Sequence, residues 1–248
     1  MIGPEILALV EESQVRGHIS GALKSTFITL IPKVSKTSSF DDYRPISLCN
    51  FLYKIISKVI AERLKPWLSR VISPERFGFL SKRLIFDVVG ATQEGIHSIK
   101  IKGLSTCLLK LDLIKAYDRV DWGYLRLLLL HIGLDFEFVS WIMACVCDVH
   151  FSVLVNGSPT HFFMGSQGLC QGCPLSLLLF LLVMDGLSRS IGLAKQSGEI
   201  QGVRVSPHQH LSHIFFFDDV LLFDINSILE WSLLSLSNFP GCGGKCLR

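Results

Sequence analysis

Two adjacent aspartates, Asp218 and Asp219, stand between two strongly apolar runs, His213–Phe217 and Val220–Phe223. Each run is short enough to be a buried strand, so the acidic pair reads as the tip of a tight hairpin. Two like charges at one point repel, and a cation between them relieves the repulsion. A third carboxylate, Asp112, lies at the end of another β-like apolar run, Thr106–Leu113. An aspartate is poorly placed in a strand by propensity, and its charge must be exposed, paired or bound to metal. Lys110 and Lys115 are nearby pairing candidates, and Asp118 in the same stretch is positioned to cap the following helix. Acidic residues are also common in turns. The combination of carboxylates favours a different chemistry. Mg²⁺ takes one or two carboxylates plus substrate phosphates. Two such ions about 4 Å apart stabilise both the attacking and the leaving oxygen of an in-line displacement at phosphorus.

Several elements must position these groups. Residues 1–20 read as a helix, Thr26–Pro32 as a short strand and Ser35–Tyr43 as a polar loop. Arg44–Leu48 is extended, because the residue before Pro45 avoids the helical region. Over Phe51–Leu68 the residues Leu52, Ile55, Ile56, Val59, Ile60 and Leu64 recur on one helical face, with Lys54, Lys58, Arg63 and Lys65 adding positive charge. Further helices are expected over Phe86–Ile101, over about Val120–His131 with Gly133 as its stop, and over Phe138–Val146. His150–Asn156 is a strand, and Asn156-Gly157 signals a hairpin leading to His161–Met164. A glycine-rich loop, Gly165–Cys173, precedes an apolar helix over Pro174–Ser190. Ile200–Val205 is a short strand before the acidic hairpin. Beyond about Ile228 the periodicity decays. Helices and strands are interspersed without regular βαβ units, which predicts an α+β fold.

Composition narrows the partners. The 248 residues are 49% hydrophobic, enough for a sizeable core. The net charge of +3 is unevenly spread: residues 1–126 carry 19 basic against 12 acidic residues, and residues 127–248 carry 5 against 9. A basic first half suits a polyanion, and an acidic second half suits metal-binding carboxylates; a merely solvated basic surface has the same composition. The first ten residues carry Pro4 and Glu5 and no basic leader, so no signal peptide is expected. The apolar stretch Pro174–Met184 ends at Asp185, short of the roughly 20 residues a bilayer needs. The expected location is intracellular, in nucleus and cytoplasm, with no membrane partner and with the eight cysteines reduced.

The motifs fall in a telling order: Arg44-Pro45-Ile46-Ser47-Leu48, then Asp112-x-x-Lys115-Ala116-Tyr117-Asp118, then Gln171-Gly172-x-Pro174-Leu175-Ser176, then Phe216-x-Asp218-Asp219. Leu30–Lys33, Tyr53–Val59 and Phe151–Gly157 add matching pieces. Over about residues 20–227 the chain resembles the reverse transcriptase of LINE-type, non-LTR retrotransposons, of the kind abundant in plant genomes. The resemblance implies a right-hand polymerase with an antiparallel palm sheet packed on helices. It divides the chain into an N-terminal helical remnant (1–23), a fingers-like region (24–105), a palm (106–227) that also contributes to the fingers, and an irregular tail (228–248). It implies RNA-templated DNA synthesis with two Mg²⁺ or Mn²⁺ ions, an RNA template, a DNA primer and deoxynucleoside triphosphates. Asp112 and Asp218 would be the main metal ligands and catalytic residues, with Asp219 completing the acidic pair and the Leu113 carbonyl assisting. Tyr117 resembles the steric gate that leaves no room for a 2′-hydroxyl, although a core tyrosine would look the same. Gln171 and Gly172 resemble the loop lining nucleotide and template. Arg44 and Lys54, with Arg83 behind them, would contact the triphosphate.

The chain departs from the family pattern. Where members commonly read Arg-Gly-Leu-Arg-Gln-Gly-Asp-Pro-Leu-Ser-Pro, Gln167, Cys170 and Cys173 replace two arginines and an aspartate. Phe217 is bulky where a small residue precedes the acidic pair, and Lys82 replaces the glycine before Arg83. Thumb and endonuclease would have to come from other chains. These departures leave the metal ligands in place and point to a truncated, drifting fragment, whose alternative is an inactive nucleic-acid-binding remnant. A third reading comes from Cys170-x-x-Cys173 before a helix, which resembles a redox dithiol or, with Cys242 and Cys246, a zinc site. The terminal Gly243-Gly244-Lys245 lacks the spacing of a P-loop.

Overall fold

In a computed structural model of the chain, the described residues are 3–72, 76–77, 85–104, 106–113, 115–198, 200–206, 209–216 and 219–224. Lys82, Arg83, Phe217, Asp218, Cys242 and Cys246 lie outside them, and Asp112 is described by its backbone alone. The elements run α1 (Gly3–Arg16), α2 (Gly21–Lys24), β1 (Thr26–Pro32), β2 (Tyr43–Leu48), α3 (Phe51–Val71), β3 (Arg76–Phe77), α4 (Ile85–Lys102) and β4 (Cys107–Asp112), followed by α5 (Trp122–His131) and α6 (Phe136–Val146). Then come β5 (His150–Val155), β6 (Ser158–Pro159), β7 (Phe163–Met164), α7 (Pro174–Gln196), β8 (Val203–Ser206), β9 (Gln209–Leu211), β10 (His213–Phe216) and β11 (Asp219–Asp224). They form two compact units that interleave along the sequence, residues 1–64 with 117–180 and residues 65–116 with 181–248.

The first unit holds a sheet in the order β2-β1-β5-β6, with β7 also on β5. Strands β1 and β2 pair antiparallel from Phe27↔Leu48 to Pro32↔Tyr43, whereas β1 and β5 run parallel. Pro45 is tolerated because β2 is an edge strand. Asn156 (φ 51°) and Gly157 (φ 82°) make the tight turn between β5 and β6 that their types predict. The hairpin partner is therefore Ser158–Pro159, and the expected return strand shrinks to Phe163–Met164. Helix α3 buries Ile56, Ile60 and Leu64 at four-residue spacing. Helix α6 buries Val139, Trp141, Ile142 and Cys145 completely. The Trp141 indole N–H donates to Ser13 Oγ at 3.1 Å, which fastens α1 to α6, and Arg63 of α3 stacks on the same ring at 5.3 Å. Asp121, not Asp118, caps α5: its carboxylate accepts from the Tyr124 N–H at 2.7 Å.

The second unit holds a sheet in the order β3-β10-β11-β4. Its three longer strands are antiparallel, and β3 lies parallel to β10. Val203, Ile214 and Phe223 form its core with Ile99, Leu104 and Leu211 around them. A Cβ on Gly95 would stand 2.8 Å from Leu211 Cδ2, so α4 approaches this cluster closely because Gly95 has no side chain. Both ring nitrogens of the buried His213 are satisfied, by Ser188 Oγ at 2.7 Å and Ser212 Oγ at 3.0 Å.

Helix α7 extends past its expected end to Gln196. Within it the buried Asp185 carboxylate is held at 2.7 Å by Arg189 one turn later. The helix is long and apolar enough to cross a membrane by length and composition, but 67% of its most apolar window is buried within the protein.

Candidate active site

The acidic cluster is built by strand register. In the second unit Asp219 is the first residue of β11 and pairs across to Phe216 of β10, so it belongs to the ladder and not to the turn. On its other side Asp219 stands directly opposite Asp112, the last residue of β4. Aspartates 107 positions apart in sequence thus occupy facing positions of the backbone ladder at one end of a sheet. The pleat leaves Val220 and Leu222 buried, with Leu111 beside them on β4, while Lys110 and Asp219 are exposed or half-buried. Like charges facing each other destabilise a ladder. Lys110, diagonal to Asp219, offsets this: its ammonium lies 3.0 Å from Asp219 Oδ1. The lysine flagged as a partner for Asp112 therefore pairs with Asp219. The pair is largely solvated, which limits its contribution to about 1 kcal/mol at most. Leu113 follows β4 and is buried.

The other predicted residues gather in the first unit, where a turn at Ala116–Arg119 meets the glycine-rich loop. The Leu169 N–H donates to the Tyr117 carbonyl and the Gly168 N–H to the Val120 carbonyl, both at 2.8 Å. The Trp122 indole closes the seam by donating to the Gly168 carbonyl at 2.8 Å. Gln171 Nε2 donates to Asp118 Oδ1 at 3.3 Å, and Gln167 Nε2 to the Asp118 carbonyl at 3.2 Å. Tyr117 is half-buried, with its ring stacked on Phe180 at 4.3 Å and 20°. The Gln171 carbonyl accepts from the Ser47 N–H at 2.8 Å, which joins the loop to the end of β2. Gly172 permits this approach: its φ is +105° and a Cβ would lie 3.2 Å from the Ser47 carbonyl oxygen. Arg44 is exposed on β2, opposite Ile31, and Lys54 is half-buried near the start of α3.

Sequence reasoning missed the role of Gly168. Its φ is +89°, and a Cβ would stand 2.9 Å from the Asp118 carbonyl oxygen. Gly168→Ala is expected to destabilise the fold by about 1–3 kcal/mol, because the strain is backbone against backbone. Chemical denaturation measures this; an unchanged midpoint would refute the close packing. Trp122 and Phe180 left no sequence signal, since each looks like an ordinary core aromatic.

The third reading of the cysteines changes. Cys173 Sγ is buried 3.8 Å from the Tyr53 hydroxyl, and the thiol facing Cys170 is that of Cys49. The described residues contain no group of three His, Cys, Asp or Glu able to hold a metal ion. Burial also pushes the Tyr53 hydroxyl well above its ordinary pKa, so it remains a neutral donor to the Cys145 carbonyl at 2.7 Å.

The fold is that of the fingers and palm of a right-hand polymerase. Telomerase from Candida tropicalis, solved with a TWJ fragment of telomeric RNA, superposes with a TM-score of 0.63 over 98% of this chain and 43% of its own, at 12% identity. The profile of the family "Reverse transcriptase (RNA-dependent DNA polymerase)" matches residues 31–228. The chain is 32% identical over 184 residues to the transposon TX1 uncharacterized 149 kDa protein of Xenopus laevis, covering 74% of this chain and 14% of that protein. It is 26% identical over 236 residues to the Pol polyprotein of a type-1 R2 retrotransposable element from Popillia japonica, covering 94% of this chain and 32% of that one. The chain belongs to the reverse transcriptase family, in its LINE-type, non-LTR branch. It spans under half the length of each of these relatives.

Proposed function

We propose that this chain carries the polymerising centre of a plant-like LINE-type reverse transcriptase, adding deoxynucleotides to a primer 3′-hydroxyl on an RNA template. The observation that carries the reading is the register of Asp219 opposite Asp112, within the span that matches the family. Asp112 and Asp218 act as the principal metal ligands, with Asp219 and the Leu113 carbonyl beside them. Aspartate oxygens are hard donors of the kind Mg²⁺ and Mn²⁺ prefer, so the donor set fits two such ions. When bound, the ions neutralise charge developing at the α-phosphate and acidify the attacking hydroxyl. Residues 24–105 serve as fingers and 106–227 as palm, with part of the latter contributing to the fingers; the interleaving of the two compact units supports that exchange.

The remaining residues bind and orient. Gln171 and Gly172 line the nucleotide and template, held by Asp118 and Ser47. Arg44 and Lys54 contact the triphosphate. The Tyr117 ring, braced by Phe180, lies against the sugar and excludes a 2′-hydroxyl. Tyr117→Ala is accordingly expected to raise ribonucleotide use relative to deoxynucleotide use by roughly 10–200-fold, the range a small steric difference commands. Competing incorporation on one RNA template measures the ratio, and an unchanged ratio would make Tyr117 a packing residue.

Primer extension with Mg²⁺ or Mn²⁺ tests the reading, alongside template affinity as a function of salt, since contacts to phosphate release counterions. One observation favours a second reading. Cys170 and Cys173 stand where the family has charge and are engaged with Cys49 and Tyr53 instead. An inactive binder would show salt-sensitive RNA or DNA affinity, unaltered by Asp218→Asn, and no extension.

A further inference from the structure

We infer that Cys49 and Cys170 form an oxidisable thiol pair which, as a disulfide, pins the Gln171-Gly172 loop to the segment joining β2 and α3. The two cysteines are 121 positions apart, yet the backbone brings their segments together. The Ser47 N–H donates to the Gln171 carbonyl at 2.8 Å, and a Cβ on Gly172 would lie 3.2 Å from the Ser47 carbonyl oxygen. Cys49 lies two residues beyond Ser47, and Cys170 lies one residue before Gln171. The two thiols also act on each other electrostatically, lowering Cys49 and raising Cys170. Cys173, the partner that C-x-x-C spacing suggests, is occupied at the Tyr53 hydroxyl, and Cys145 is buried.

The two sulfurs have unequal roles. The neighbouring Cys170 thiol brings Cys49 down to about 7 against the opposing effect of burial, and the Lys54 ammonium adds to the lowering. The Cys49 thiol in turn, followed by burial, pushes Cys170 far above the ordinary thiol range. The Lys54 ammonium near Cys49 favours the thiolate there, with the proton on Cys170. With hydrogen peroxide as oxidant the electrons balance. The Cys49 thiolate attacks one peroxide oxygen, the O–O bond breaks, and the departing hydroxide takes a proton to leave as water and a Cys49 sulfenic acid. The Cys170 sulfur then attacks the Cys49 sulfur, its own proton joins the released hydroxide, and a second water departs. Two thiols lose two electrons and one peroxide gains them. A small oxidant suits the site, because Cys49 is buried and Cys170 is half-buried.

The bond itself does not depend on the polymerase reading; its effect on synthesis does. Purified chain is treated with hydrogen peroxide and then with an alkylating agent, and its peptides are mapped without reduction. The expected product is a cross-linked peptide pair joining Cys49 to Cys170, lighter by two hydrogens and released by dithiothreitol. Cys49→Ser and Cys170→Ser abolish it, whereas Cys173→Ser leaves it. A Cys170–Cys173 bond, or cysteines oxidised singly, would overturn the inference, and both are read on the unmutated chain without any need for a variant to fold. If the chain extends primers, oxidation is expected to lower that rate at least tenfold in a dithiothreitol-reversible way, with Cys170→Ser insensitive. Extension unaffected by a mapped Cys49–Cys170 bond would refute the pinning of the loop.

Discussion

If the chain extends primers as proposed, Asp112→Asn is expected to lower RNA-templated extension on the order of 10³-fold and to leave affinity for the template–primer unchanged. Asparagine keeps the size of the side chain and removes one negative charge from the end of β4. That charge matters because Asp112 faces Asp219 across the ladder. Two facing carboxylates are an electrostatic cost until a cation lies between them. Metal stabilisation of a phosphoryl transition state is worth several kcal/mol. At about 1.4 kcal/mol per factor of ten, a loss of roughly 4 kcal/mol gives the stated effect. Binding is expected to respond differently, because affinity for nucleic acid comes mainly from contacts between basic residues and phosphates. Single-turnover extension and fluorescence anisotropy, measured on the same preparation, separate the two. Full extension by Asp112→Asn would remove the carboxylate from the chemistry; parallel loss of binding and extension would mean that the substitution disturbed the fold.

The second large effect is on stability. Arg189→Met is expected to cost about 3 kcal/mol and to lower Tm by roughly 6–12 °C. The Asp185 side chain is only 2% exposed, and the Arg189 guanidinium meets it at 2.7 Å. The same guanidinium donates to the Val71 carbonyl near the end of α3, so one side chain closes both a buried charge and a helix terminus. Methionine preserves much of the aliphatic length and removes both interactions. Restoring neutrality with Asp185→Leu in the same chain should recover most of the loss, because a buried pair replaced by apolar groups is often neutral. Thermal unfolding of the single and double variants decides this. A double variant no more stable than the single would show that the guanidinium acts through Val71 alone.

The local elements were largely legible in the residues. Thr26–Pro32 emerged with the predicted bounds, and Phe51–Val71 ran one turn past its expected end. Asn156-Gly157 formed the turn its types demand. These features depend on hydrophobic period, turn chemistry and the restriction before proline, all of which act over a few neighbouring residues. The reach of α7 beyond Ser190 was not legible, because the buried Ile191 and Ala194 sit among polar neighbours that give no strong helical period. A separate ambiguity misassigned the cap of α5, where Asp118 and Asp121 are both chemically suitable and only the backbone geometry selects Asp121.

Ordered motifs in the sequence were enough to point to the family, because Asp112, Tyr117, Gln171-Gly172 and Asp218-Asp219 recur together at characteristic intervals. Tertiary structure decided which of these groups meet. Strand register set Asp219 opposite Asp112 and gave Lys110 to Asp219, and a one-residue slip would have turned each of them to the other face. Close backbone approach at Gly168 and Gly172 bound the loop to Asp118 and Ser47, and in doing so brought Cys170 to Cys49 rather than to the neighbour its spacing suggested. Composition and periodicity carry the short-range preferences of a chain. Pairings between residues a hundred positions apart exist only once the sheets and loops have closed, and the proposed chemistry rests on those pairings.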